Sequence, residues 1–528
     1  MSICEKSLHW ADKVAHKIIK ERADCDQYTC ASGITPSGTV HIGNFREIIS
    51  VDLVVRALRD QGKSVRFVHS WDDYDVFRRI PDNVPAQDEL KQYIRMPITS
   101  VPDPFQQEDS YARHHEREIE SALPEVGIYP EYVYQSKQYQ AGVYAQEIKI
   151  ALDNRHRIQA ILNEYRDEQH KISGTYWPVS VFCTACHKDC TTVDAWDSHW
   201  CLQYHCECGH GEQVDLRQTS AVKLSWRVDW AMRWSKEHVV FEPAGKDHHS
   251  QGGSFDTARL ISDHIYHWPA PVSFRYDFIG LKGLPGKMSS SAGKVVGLRD
   301  VLEVYQPEVL RYLFVSTRPN TEFSISFDLD VLKIYEDYDK SERVAWGIHA
   351  AKSEHEFMRH KRIYELSQVR GMPPCISYQV PFRHVCNILQ INSGDISAVL
   401  AFFSDIHKDQ IERFVRRCQC AWNWIRDAGA PDDFKFTLKE DGVRVPLSAE
   451  ITEALRLIRD TLVPRTDVLS EKELSAELYA VARQIPVGSK ELFTALYQVL
   501  IGKNQGPRLA GFMKVIGTQR LHRMLSVY

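Results

Sequence analysis

No run in these 528 residues approaches the roughly 18 consecutive apolar residues that a membrane-spanning helix needs. A helical membrane protein is thereby excluded, and no membrane partner is expected. Neither sign of charge dominates, since 65 Lys and Arg stand against 70 Asp and Glu for a net charge of -5. That balance excludes a grossly basic nucleic-acid binder but leaves room for a local basic surface, because phosphate affinity depends on where the cations sit. Repeats and low-complexity tracts are missing. No secretory leader is expected either, since Glu5 and Asp12 interrupt the first residues and no continuous apolar core follows. A cytoplasmic, monomeric protein is the expectation, and the length exceeds what one hydrophobic core serves, so two to four domains are expected.

Cysteine is present but unevenly spread. Six of the thirteen fall between Cys183 and Cys208, which in a large chain without a leader reads as metal binding rather than a disulfide scaffold. Cys183-x-x-Cys186 and Cys206-x-Cys208 form two knuckles, and four thiolates at this spacing suit a closed, tetrahedral, structural zinc site. The second knuckle is one residue short of the usual form, so Cys190, Cys201, His187, His199, His205 and His210 stay open as alternative ligands. Reduced, buried cysteines without metal are the competing reading.

Residues 28 to 32 read as a buried strand, Gly33 to Gly38 as a loop, His41 to Gln61 as a helix stopped by Gly62, and Val65 to Ser70 as the next strand. This βαβ succession predicts a Rossmann-like, doubly wound parallel sheet with its ligand at the carboxyl ends of the strands. Strand and helix signals resume at 222–225, 229–237, 239–242, 254–267 and 272–279. The expected organisation is therefore an α/β catalytic domain over 1–330, interrupted by an insertion over 108–220 that carries the zinc knuckles at 178–218. Beyond it, 331–528 reads as all-α, with helices at 332–358, 391–407, 410–427, 449–462 and 470–483.

Two short segments carry nucleotide chemistry. His41-Ile42-Gly43-Asn44 puts a glycine at a helix start, where free amides and the helix dipole attract phosphate, with His41 and Asn44 on one face. Lys287-Met288-Ser289-Ser290-Ser291, bracketed by glycines and Pro285, supplies a lysine and three hydroxyls on a loop able to close over a triphosphate. Together they predict ATP, with Mg2+ on its phosphates, gripped from two sides.

These segments resemble the HIGH and KMSKS signatures of class I aminoacyl-tRNA synthetases. Asn44 stands for the final histidine and Ser290 for the second lysine, with Lys294 nearby. More of the chain resembles one branch, the class I lysyl-tRNA synthetases: Ser32 to Gly38, Asn44 to Glu47, Trp71-Asp72-Asp73-Tyr74-Asp75, Trp226 to Trp230, Glu242 to His248 and Gly506 to Leu509. The resemblance implies lysine–tRNA ligase activity in two steps, a lysyl-adenylate and then transfer to the terminal 2′-hydroxyl of tRNA(Lys), with activation dependent on bound tRNA. It implies that Gly33, Thr35, Glu47, Trp226, His248 and Tyr276 bind L-lysine, with a carboxylate for the ammonium and aromatic walls for its stem. It implies catalytic roles for His41, Asn44 and Lys287. ATP is expected against Pro36, His41, Gly43, Asn44, Gly245, Asp247 and the Lys287, Met288, Ser289, Ser290, Ser291 segment. Asp247 either holds the ribose or orients the lysine α-amino group. Without the resemblance, Glu47 reads as a surface helix residue. The helical C-terminal part resembles an anticodon-binding region, with Arg508, Lys514, Arg520 and Arg523 as candidate contacts. A glutamyl or cysteinyl enzyme would place a basic group or a zinc at the pocket, and a small nucleotidyltransferase has no use for about 200 further helical residues.

Overall fold

The computed structural model describes residues 9–283, 295–403, 405–486 and 488–528. Lys287, Met288, Ser289, Ser290, Ser291 and Lys294 lie outside the described residues. The chain forms two compact units. The first gathers Met1–Leu302, Pro307–Ile325 and Lys340–Pro374, and the second gathers Glu303–Gln306, Ser326–Asp339 and Cys375–Tyr528.

In the first unit, helix α1 (Trp10–Glu21) precedes β1 (Tyr28–Ile34), α2 (Ile42–Asp60) and β2 (Val65–Trp71). β1 and β2 pair in parallel from Tyr28↔Val65 to Ile34↔Trp71. Six of the seven β1 residues are buried, as a strand covered on both faces must be. α2 is buried almost all round, through Phe45, Ile48, Ile49, Val51, Leu53, Val54, Val55 and Leu58, so it is a core helix and Glu47 is not a surface residue. Helix α3 (Tyr111–Ala122) and strand β3 (Glu131–Tyr134) follow, and β3 pairs in parallel with β2 from Val68↔Glu131. Sequence reasoning passed over both: α3 is announced only by Ser110, whose hydroxyl accepts from the Arg113 amide, and β3 is four residues long. Within the expected 108–220 excursion, residues 131–134 are thus a strand of the core sheet.

Three short helices, Gln135–Gln140, Ala145–Asp153 and Arg155–Asn163, lead to β4 (Val179–Val181). β5 (Thr191–Trp196), β6 (Cys201–Cys206) and β7 (Gly211–Asp215) make an antiparallel ribbon, and β8 (Val222–Leu224) returns to pair antiparallel with β4. The expected 222–225 strand therefore closes the base of the insert instead of entering the main sheet. Helix α4 (Trp226–Lys236) then leads to β9 (Val239–Phe241) beside β1, and β10 (Ala244–Gly245) continues the same line. After α5 (Ser254–His264), β11 (Arg275–Tyr276) pairs in parallel with β10. The Glu242, Ala244 and Lys246 amides donate to the Val272, Phe274 and Tyr276 carbonyls at 3.1, 3.2 and 3.0 Å. Five parallel strands thus lie in the order third, second, first, fourth, fifth by sequence, the doubly wound arrangement whose switch point falls between β1 and β9. The expected 272–279 segment resolves into β11 and β12 (Ile279–Leu281), the latter pairing with β13 (Phe323–Ile325).

The expected helix at 332–358 is two helices, Asp330–Ala345 and Glu354–Ser367. Gly347 at φ +70° ends the first, and the Ser353 hydroxyl caps the second by accepting from the Glu356 amide. In the second unit the helix expected at 391–407 shrinks to Ile396–Ala401, which Asp395 caps through the Ser397 and Ala398 amides, and the helix Phe382–Ile391 before it was not expected. Ile411–Arg426, Ala449–Leu457 and Glu471–Ala482 fall where helices were expected.

Candidate active site

The carboxyl ends of β1, β2 and β10 open onto one cavity of about 910 Å³. Gly33 is the penultimate residue of β1, and its amide donates to Glu47 Oε1 at 2.8 Å, while the Tyr276 hydroxyl donates to Glu47 Oε2 at 2.5 Å. The carboxylate is therefore clamped between the first loop and β11, at the floor of the cavity. Burial, reinforced by the nearby Glu242 and Asp72 carboxylates, pushes Glu47 up to about 8. Tyr276 is held well above its ordinary value by burial and by Glu47. Among the described residues no cation pairs with Glu47, so it is an acidic group waiting for positive charge.

The walls are aromatic. Trp226 lines the cavity at 37% exposure, its ring stacked on Trp230 with centroids 5.2 Å apart. His248 sits beside them, its Nδ1 2.6 Å from the Ser254 hydroxyl at the start of α5. A Cβ added at Gly33 or Gly245 would meet protein atoms no closer than 3.5 and 3.6 Å. Those are ordinary contacts with Ser70 and Tyr276, so packing of the chain itself does not demand either glycine, and both line the cavity.

The start of α2 forms the other side. His41 is the N-cap: its Nδ1 accepts from the Asn44 amide, and Asn44 Oδ1 accepts from the His41 amide, both at 3.3 Å. This reciprocal capping box gives both side chains a structural duty. The Ile42 amide donates to the Val296 carbonyl at 2.8 Å and His41 bridges to Gly297, which brings the chain following the Lys287 segment to the helix start. Gly43 keeps the one amide of the first turn without an acceptor among the described residues, so the anion-attracting character of a helix start is concentrated there.

Gly33, Thr35, His41, Gly43, Asn44, Glu47, Trp226, Gly245, Asp247, His248 and Tyr276 all line this cavity. Pro36 is buried beneath the loop, and the cavity is lined by its neighbours Thr35 and Ser37 instead. Sequence reasoning missed a charged network beside the site. Arg233 donates to Asp72 at 2.5 Å and to Asp229, Lys223 pairs with Asp75, and Asp75 accepts from the Thr35 hydroxyl at 3.2 Å. Glu242 accepts from the Trp234 indole at 2.6 Å, and burial raises it to about 7. The carboxylates after β2 were findable, since Asp72 and Asp75 follow the end of a parallel strand. Lys223, inside β8, carried no signal.

The four predicted thiolates converge. The sulfurs of Cys183, Cys186, Cys206 and Cys208 lie within 4.8 Å of one another, Cys183 3.7 Å from Cys208 and Cys186 3.6 Å from Cys206. A tetrahedron with Zn–S bonds of about 2.3 Å needs sulfurs about 3.8 Å apart, so the cluster can hold a metal ion. Cys190, Cys201 and the four insert histidines are not part of it.

A family profile described as "tRNA synthetases class I (K)" matches residues 8–370. The lysine–tRNA ligase of Borreliella burgdorferi is 51% identical over 525 residues, covering 99% of this chain and 100% of that one. That of Pyrococcus horikoshii is 41% identical over 515 residues, covering 96% and 97%. A solved glutamate tRNA ligase from Elizabethkingia meningosepticum aligns over 94% of this chain and 98% of its own at 12% identity, with a TM-score of 0.44. By the profile and by these full-length identities, the chain belongs to the class I tRNA synthetases of the K, or lysyl, group.

Proposed function

We propose that this protein joins L-lysine to the terminal ribose of a lysine tRNA at the expense of ATP. The observation that carries the amino-acid choice is Glu47, a carboxylate with no cationic partner among the described residues, clamped at the floor of an aromatic-walled cavity. The lysine ε-ammonium docks on Glu47, with its methylene stem between Tyr276 and Trp226. Gly33 and Gly245 leave room for the substrate backbone, and Asp247 and His248 face its polar end.

In the first step a lysine carboxylate oxygen attacks the α-phosphorus of ATP in line. An O–P bond forms, the bond to pyrophosphate breaks, and lysyl-adenylate remains. The Gly43 amide, His41, Asn44 and Lys287 neutralise charge on the phosphoryl oxygens, and ATP enters as its magnesium complex. In the second step the terminal 2′-hydroxyl of tRNA attacks the adenylate carbonyl carbon and AMP leaves. Both steps rest on positioning and charge neutralisation, with no covalent enzyme intermediate. Cys183, Cys186, Cys206 and Cys208 hold a structural zinc that fastens the ribbon of the insert.

The test is ATP–pyrophosphate exchange with lysine, arginine, ornithine, glutamate or cysteine, with and without lysine tRNA. Lysine-dependent exchange in the presence of the tRNA is expected. Its absence, or a preference for another amino acid, overturns the assignment.

A further inference from the structure

The cavity does not end at the residues just assigned. Its lining continues along Val76, Arg78, Arg79 and Pro81, with Ile98 and Ser180. This arm starts directly after Asp72 and Asp75 and includes the base of the insert, through β4.

Its backbone is held firmly. Val76 bridges to Pro97, the Phe77 amide donates to the Met96 carbonyl at 2.8 Å, the Arg95 amide to the Phe77 carbonyl at 2.9 Å, and the Ile98 amide to the Asp75 carbonyl at 2.8 Å. Phe77 is buried between the two exposed arginines and the core. Arg78 and Arg79 therefore project from a short ladder that is already ordered.

The charges around the arm separate cleanly into committed and uncommitted groups. Asp75 is matched by Lys223, Asp72 by Arg233, and Asp189 by Arg95 at 2.7 Å. Arg78 forms no ion pair among the described residues; its charge reaches Asp189, which Arg95 already holds. Arg79 approaches only Asp82, at 3.6 Å, with both side chains about two-thirds exposed, a contact that solvent and salt readily replace. Two guanidinium groups are thus left on an arm of the cavity whose own acids, Asp72, Asp75 and Asp189, are already paired. A guanidinium fork matches a phosphodiester, and two on successive residues suit a flexible, single-stranded backbone rather than a compact triphosphate. The triphosphate has its own attraction at the Gly43 end of the cavity.

We infer that Arg78 and Arg79 hold the phosphates of the single-stranded 3′ end of tRNA as its terminal ribose enters the cavity. The inference rests on the tRNA-ligase reading. It gives the last nucleotides a path along the Val76–Pro81 segment, past the base of the insert, to the adenylate. Both side chains are exposed, so replacing them leaves the fold intact.

The test compares the full chain with its R78A/R79A variant, using a lysine tRNA transcript and the same transcript without its single-stranded 3′ end. The variant should raise the KM for tRNA about tenfold while the KM values for ATP and lysine stay within about twofold. The slope of log affinity against log salt should fall by about 1.4, about 0.7 for each single-strand phosphate that is no longer neutralised. The wild-type preference for the full transcript over the shortened one should shrink. An equal drop in affinity for both transcripts would place the arginines on the tRNA body and overturn the inference. So would a change in the KM for ATP, which would assign them to the triphosphate, or no change at all. Because the transcript comparison reads binding alone, it stays interpretable even if the wild-type chain fails to charge lysine, the result that defeats the parent reading.

Discussion

At the scale of single residues, the proposed ammonium contact rests on Glu47, and its environment gives it a pH signature. Burial raises its carboxyl to about 8, so in the ligand-free protein the protonated form predominates below that pH. A lysine ammonium favours the ionised form. Binding lysine therefore expels a proton, and affinity should rise with pH, by at most about tenfold per unit, until it levels off above about pH 8. The same raised value means that the contribution of Glu47 to the stability of the empty protein is fully present below the ordinary carboxylate range and is lost as pH rises through about 8. Calorimetry in buffers of different ionisation enthalpy should detect the released proton. Glu47→Gln should remove it and raise the KM for lysine on the order of a hundredfold, as loss of a charged partner in a buried site does, with the ATP value little changed. Equal effects on both substrates would argue against an ammonium contact. From composition and periodicity Glu47 reads as one more polar residue on a helix. Only the resemblance pointed to it, because the clamp by Gly33 and Tyr276 joins positions far apart in sequence.

At the scale of elements, β1, α2 and β2 were legible almost to the residue, since a buried strand, a glycine loop, a capped helix and a second buried strand all agree locally. The elements that escaped are those whose identity depends on distant partners. β8 has strand chemistry, but its partner β4 takes it out of the main sheet, and β3 is too short to announce itself. The C-terminal basic residues teach the same lesson. Lys514 donates to the Thr466 and Leu469 carbonyls, Arg520 to the Ile391 carbonyl, and Arg523 pairs with Asp441, so three of the four candidate RNA contacts have bonds within their own unit. Gly506 is likewise structural, because a Cβ there would meet Ile501 at 2.8 Å and Tyr497 at 3.0 Å. The start of α2 serves both purposes. His41→Ala removes one half of the capping box and should cost about 1 kcal/mol of stability in denaturant unfolding, in addition to slowing adenylate formation. Unchanged stability would show that the cap contributes nothing.

At the scale of the molecule, the insert is wired into the cavity it leaves. It departs through β4 and returns through β8, and this antiparallel base brings Ser180, Lys223 and Trp226 to the cavity wall. Metal analysis should find about one zinc per chain. Cys206→Ser, or stripping by a chelator, should loosen the ribbon, change the fluorescence of Trp196 and Trp200, and raise the KM for lysine more than that for ATP. A metal-free protein with an intact ribbon would refute the zinc reading. α2, meanwhile, crosses the site as one buried rod, with His41 at the proposed triphosphate end and Glu47 at the proposed ammonium end, six residues and roughly 9 Å of helical rise apart. Because a helix cannot be shortened by a methylene, on the proposed assignment the rod is a gauge block: a side chain one carbon short would leave either its amine or its carboxylate out of reach, so the site would select its substrate by length as well as by charge.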